Sequence, residues 1–164
     1  MEAFKFVDKW VLSALKIVTI TSFVFLTILI TANVIVRFFP VVSLHWFDEI
    51  IELLYAYLVF YGAAALWILR GHISVGDWIG ERISRESLRH AYQMAIELLV
   101  LAFATIFLFY SYRLTVLAQD VTNVFAIPKS VLYSCMPISG VIMVLYSLRN
   151  VVSEFVGIIK KNAA

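Results

Sequence analysis

Charged residues fall along this chain in clumps, and four stretches between them carry none. These are Ile17–Val36, Leu53–Leu69, Leu98–Tyr112 and Val131–Leu148, of twenty, seventeen, fifteen and eighteen residues. A helix rises about 1.5 Å per residue, so a run of this kind reaches about 30 Å, the thickness of a hydrocarbon core. The third run is the shortest and is bounded by Glu97 and Arg113. Its helix is predicted to continue past both, with those two side chains reaching toward the headgroups. The segments must be helices, because open strands would leave backbone groups unpaired in lipid. The pattern therefore predicts an all-α membrane protein with four transmembrane helices. It forms one transmembrane domain over residues 1–164, with spans at about 14–37, 49–69, 92–115 and 131–155.

The connections are not plain linkers. Between the second and third spans, Val75, Ile79 and Ile83 recur every four residues beside a basic stripe of Arg82, Arg85 and Arg89. One reading is a short interfacial cytoplasmic helix within His72–Arg89. The other is a third helix that starts early, N-capped by Ser84 or Ser87. The connection between the third and fourth spans, Gln119–Ser130, contains Val124, Phe125, Ala126, Ile127 and Pro128. That is apolar for a loop in water and suggests a re-entrant or partner-covered segment.

Composition points the same way. The chain is 63% hydrophobic with mean hydropathy +0.94, and 15% of it is charged, against about 25% in soluble domains. The net charge of +2 gives no reason to expect nucleic acid. The distribution of charge is more telling. Lys5, Lys9, Lys16, Arg70, Arg82, Arg85, Arg89, Arg149, Lys160 and Lys161 lie on one side of the predicted spans, and only Arg37, Arg113 and Lys129 on the other. By the positive-inside rule both termini face the cytoplasm. Trp10, Trp46, Trp67 and Trp78 all fall at predicted interfaces, where an indole is amphipathically at home. The first apolar run is too long for a signal-peptide core and lacks a small-residue cleavage site, so it reads as a retained helix.

Candidate chemistry is sparse. Asp48, Glu49 and Glu52 share one face at the outer start of the second helix. They read as dipole partners and anchors, as a contact surface, or as an ion site. Arg37 is their natural counter-charge. Arg70 and Gly71 suit the end of that helix, followed by His72. His45, His72 and His90 all lie at loops or interfaces, which does not suit a haem. The single Cys135 reads as a buried small hydrophobe. Asn33 reads as interhelical glue. Pro137 and Gly140 interrupt the fourth span and predict a kink, with Ser134 and Ser139 placed to satisfy freed backbone groups. There is no phosphate-cradling loop, no nucleophile with a paired base and no metal-ligand spacing, so neither an enzyme nor a cofactor is expected.

Several of these residues fall in a familiar order. Asn33 and Arg37 close the first helix; Trp46, Asp48 and Glu49 open the second. Gly62 follows within it, then Arg70, His72 and Ile73; Ile127-Pro128 precedes Tyr133, and Pro137 and Gly140 lie in the last helix. In this the chain resembles the small, four-helix (Q-type) membrane subunit of tripartite ATP-independent periplasmic (TRAP) transporters. The resemblance implies a partner in a large membrane subunit, which the small one scaffolds. It also implies a periplasmic substrate-binding protein that delivers an organic acid of the C4-dicarboxylate or sialic acid class, and sodium-driven uptake across the bacterial inner membrane. Some members fuse the two membrane subunits. The chain's end at Ala164, after Lys160 and Lys161, leads to the expectation of an unfused one.

Under that resemblance Asn33, Arg37, Trp46, Asp48, Glu49, Glu52, Arg70, His72, Pro128, Tyr133 and Pro137 are the candidates for contact with a partner, with membrane lipids or for positioning. Two other classes compete. A membrane anchor of a redox complex would need facing histidines within the spans. A small autonomous exporter would need a carboxylate deep in the membrane.

Overall fold

An unbroken apolar run has no reason to stop being helical, and the first helix, α1 (Glu2–Val36), takes the whole of it and the basic segment before it. In this computed structural model residues 2–36, 38, 46–69 and 86–162 are described. The helix α2 (Trp46–Ile68) opens with Asp48 and Glu49 in its first turn, where negative charge complements the helix dipole. Then come α3 (Glu86–Leu117), a five-residue α4 (Lys129–Tyr133) and α5 (Cys135–Asn162). Four segments are long and apolar enough to cross a membrane: Phe6–Val36, Trp46–Ile68, Tyr92–Leu117 and Lys129–Val156. The chain is an all-helical multi-pass membrane protein, with no strand beyond a single bridge between Val121 and Pro128 among the described residues.

The helices stand in an open row. Backbones come together between α1 and α2, α2 and α5, and α5 and α3, while those of α1 and α3 do not approach. The short α4 sits against α2, α3 and α5. The contacts are made where side chains are small: Ala64 and Ala65 of α2, Ala104 of α3, and Cys135, Ser139 and Ser147 of α5 are all buried. Lipid is as apolar as leucine, so close backbone approach rather than hydrophobic burial holds such helices together. Gly140 is the tightest case. A Cβ there would lie 3.2 Å from the Cα of Leu108, so glycine lets α5 lie against the α3 backbone. At Gly62 the space is ordinary, with the Thr19 methyl 3.4 Å away. Bulky residues point outward instead, among them Ile17, Ile20, Phe23 and Ile28 on α1 and Leu99, Ile106 and Phe109 on α3.

Two readings of the spans need correction. Glu97 does not reach for the headgroups: only 5% of it is exposed. Because α3 begins at Glu86, Glu97 lies about three turns inside the helix, facing the interior; Arg113 is exposed, as expected. Secondly, the break in the last span falls at Ser134, and α5 runs through Pro137 and Gly140 without interruption. Pro137 occupies the first turn of α5, where a missing N–H costs little. Trp67 lies at the end of α2, where its indole N–H donates to the Ser147 hydroxyl at 2.9 Å and its ring stacks on Phe103. The proposed interfacial helix lies mainly in residues 70–85, outside the described residues, although α3 does begin as early as Glu86.

Candidate partner and positioning site

The N-terminal ends of α2 and α4 meet in a small lobe built from residues 120–129. Its base closes when the Lys129 N–H donates to the Asp120 carbonyl at 2.8 Å and the Thr122 N–H to that of Ile127 at 2.9 Å. The Thr122 hydroxyl accepts in turn from the Ile127 N–H at 3.1 Å. A turn through Thr122–Ile127 needs a sharp reversal, and Ala126 supplies it with a φ of 51°. Pro128 then precedes α4 with φ −57° and ψ 129°, the extended conformation that its ring favours. Lys129 and Asp120 lie 4.0 Å apart, with Asp120 largely exposed.

Glu49 reaches into this lobe from the first turn of α2. One carboxylate oxygen accepts the Val124 N–H at 2.6 Å and the other the Phe125 N–H at 3.1 Å. The Thr122 hydroxyl and the Asn123 N–H also face it. Successive amides converging on one anion form a nest, and here the anion is the chain's own. Trp46 stacks on Phe47, at 4.3 Å between centroids, and sets the edge of its ring toward Phe125 at 6.5 Å. Phe47 is buried while Trp46, Asp48 and Glu52 are exposed. A narrow crevice of about 30 Å³ beneath the lobe is lined by Glu49, Glu52, Leu53, Phe125, Ile127 and Leu132.

A second cluster forms around the break at Ser134. Pro137 has no N–H to give the Tyr133 carbonyl, and the Thr115 hydroxyl of α3, which bonds to the Ser111 carbonyl of its own helix at 2.9 Å, also reaches it at 3.2 Å. The Val131 carbonyl accepts from the Ser134 hydroxyl at 2.6 Å, and the Tyr57 hydroxyl of α2 lies 3.2 Å from both that carbonyl and the Ser134 oxygen, sharing its proton between them. Ser139 bonds to the Cys135 carbonyl at 2.7 Å, which is not one of the freed groups. Cys135 is fully buried, with its Sγ 3.3 Å from the Leu132 carbonyl. Beyond Pro137 an apolar groove of about 540 Å³ lies between α3 and α5, lined by Leu108, Phe109, Pro137, Ile138 and Val141 among others.

The sequence candidates are thus only partly gathered. Trp46, Glu49, Glu52 and Pro128 meet at the lobe; the Tyr133 carbonyl, the one Pro137 leaves without an N–H, meets Thr115. Asn33 is half-buried near the end of α1. Arg37, Arg70, His72 and His45 lie outside the described residues, so the pairing of Arg37 with the acidic cluster does too.

Sequence reasoning missed Thr115 and Tyr57, whose hydroxyls look like lipid-facing polarity in a one-dimensional reading. It also missed Asp8 at the other end of the row. The Asp8 carboxylate accepts from the Tyr146 hydroxyl at 2.8 Å and pairs with Arg149, whose guanidinium lies over the Tyr146 ring. An acidic residue amid Lys5 and Lys9 was the available signal. Among the described residues no group of histidine, cysteine or carboxylate side chains is arranged to hold a metal ion.

A search of curated proteins finds no match for this chain. Residues 26–157 match a family described as tripartite ATP-independent periplasmic transporters, DctQ component. That range runs from within α1 through both clusters and the packed part of α5, so the chain belongs to the family of the small DctQ component of TRAP transporters.

Proposed function

We propose that this subunit is the fixed scaffold of a sodium-driven importer. It holds a large membrane subunit at a set depth while that subunit carries an organic acid, of the C4-dicarboxylate or sialic acid class, handed over by a periplasmic binding protein. It sits in the bacterial inner membrane with both termini in the cytoplasm, by the ten-to-three asymmetry of basic residues. It catalyses no reaction itself.

The observation that carries this reading is the open row of helices. Interior polar groups are used on one another or on the backbone, as in Trp67 with Ser147, Tyr57 with Ser134 and Thr115 with the Tyr133 carbonyl. Both flanks of the row are apolar. Such a plank has a wide face to offer a partner and its own polar groups committed to holding it together. Asn33, Arg37, Trp46, Asp48, Glu49, Glu52, Arg70, His72, Pro128, Tyr133 and Pro137 then serve contact or positioning rather than substrate binding.

The test is co-purification from cells expressing the native transporter. A tag on this chain should recover the large subunit in mild detergent. Alanine at Arg37, Glu49, Arg70 or His72 should lower complex yield or uptake and leave the binding protein's substrate affinity unchanged. Truncating one partner of a half-buried charge contact costs about 2–5 kcal/mol, enough to deplete a complex. In the same cells, cysteines introduced at Glu2 and Ala163 should resist an impermeant reagent applied from outside. Normal yield and uptake in every variant would refute the positioning role; labelling at either end would refute the orientation. A variant that assembles fully but alters the sodium dependence of uptake would overturn the scaffold assignment.

A further inference from the structure

The bonds inside the lobe fix its base and leave its tip to another residue. Lys129 to Asp120 and Thr122 to Ile127 close the neck. The amides of Val124 and Phe125 at the tip run instead to Glu49, seventy-five and seventy-six residues away. The turn also passes through Ala126 at positive φ, a conformation a non-glycine residue keeps only where its surroundings hold it. The side chains at the tip are half-exposed, Val124 at 49% and Phe125 at 46%, and Phe125 lies against Trp46 and along the crevice beside α2.

We infer that Glu49 is the positioning residue of the lobe. Its carboxylate holds the tip in the conformation that leaves Val124 and Phe125 half-exposed beside Trp46 as a preformed apolar surface, and the assembled transporter requires that presentation. Asp48, one residue away in the same turn, is exposed and carries the same charge. The assignment therefore lies in the geometry of one carboxylate, not in the acidity of the cluster. Only the second half of the inference rests on the proposed transporter role.

Two isosteric variants separate these possibilities. Glu49→Gln and Asp48→Asn each remove one negative charge from the same turn, but only the first weakens the clasp. Hydrogen–deuterium exchange of the full-length protein in nanodiscs reads the lobe without any partner. In Glu49→Gln the amides of residues 123–125 should exchange about tenfold to a hundredfold faster, the factor for losing charge-assisted hydrogen bonds. Residues 53–60 of α2 should be unchanged, which excludes general unfolding. Asp48→Asn should match the wild type in both regions. In the complete transporter, Glu49→Gln should lower uptake several-fold more than Asp48→Asn does. Equal exchange in the three proteins would overturn the clasp. Faster exchange with undiminished uptake would overturn the need for presentation. Loss of uptake in both variants would show that charge, not the clasp, is what matters. The scaffold reading can fail independently, because the exchange measurement involves no other subunit.

Discussion

Single residues in this protein act chiefly by satisfying backbone groups that the helices leave over. Thr115 is the clearest case. Its hydroxyl shares one proton between the Ser111 carbonyl of its own helix, at 2.9 Å, and the Tyr133 carbonyl that Pro137 leaves without an N–H, at 3.2 Å on a different helix. Thr115→Val keeps the shape and removes the donor, so it should cost about 0.6–1.7 kcal/mol, the range for interhelical hydrogen bonds in membranes. The cost should shrink in a Pro137→Ala background, where the chain supplies its own N–H. Unfolding in mixed micelles across the four-protein cycle would measure it. Equal costs in both backgrounds would mean the hydroxyl does something else. Asp8 belongs to the same scale but weighs less. Its side chain and that of Arg149 are 32% and 45% exposed, and pairs so exposed contribute about 1 kcal/mol or less.

At the scale of elements, what the sequence revealed and what it hid have one cause. A segment in lipid must close its own backbone bonds, so each span is legible alone, and all four emerged from runs of uncharged residues. Which helix touches which is not legible that way, because the faces turned to lipid and to neighbours are both apolar and no periodic stripe separates them. The informative residues are the small ones, Ala64, Ala65, Ala104, Gly140 and Ser147, and a hydropathy reading passes over them. The lobe was legible only as an oddly apolar connection. Its bond to Glu49 joins residues far apart in the chain, which no local pattern encodes. Glu97 misled because a charge at the edge of an apolar run looks like the end of a helix. At Gly140 a side chain must push α5 from α3 or distort one of them. Overpacking of this kind costs about 1–3 kcal/mol. Gly140→Ile should lower the midpoint of thermal unfolding in detergent, while Gly62→Ala, facing a movable methyl at 3.4 Å, should change it little. Equal shifts in the two variants would mean α3 and α5 are not held as closely as Gly140 implies.

Across the whole molecule, the row resolves into two pairs: α1 with α2, and α3 with α5. Their backbones meet along a seam between α2 and α5, where Trp67 bonds to Ser147 toward one end and Tyr57 lies against Ser134 toward the other. Side chains also cross from α1 to α5, Asp8 to Tyr146 and Arg149, and from α2 to α3, Trp67 on Phe103 and Phe60 on Phe107. Each pair reads as half a protein with its own internal contacts. The chain should therefore tolerate being made in two pieces. Divided between Gly76 and Asp77 and produced together in one cell, the fragments should find each other in the membrane and be recovered as a complex through a tag on either. Trp67→Phe should reduce that recovery more than it destabilises the intact chain, because a divided protein is held together only by the contacts between its halves. If the fragments are each inserted and stable yet never associate, the seam is too weak to act without the peptide that joins them. If they do associate, the two hairpins can be exchanged independently between related transporters, and the half that recognises a given large subunit can be identified by transplantation.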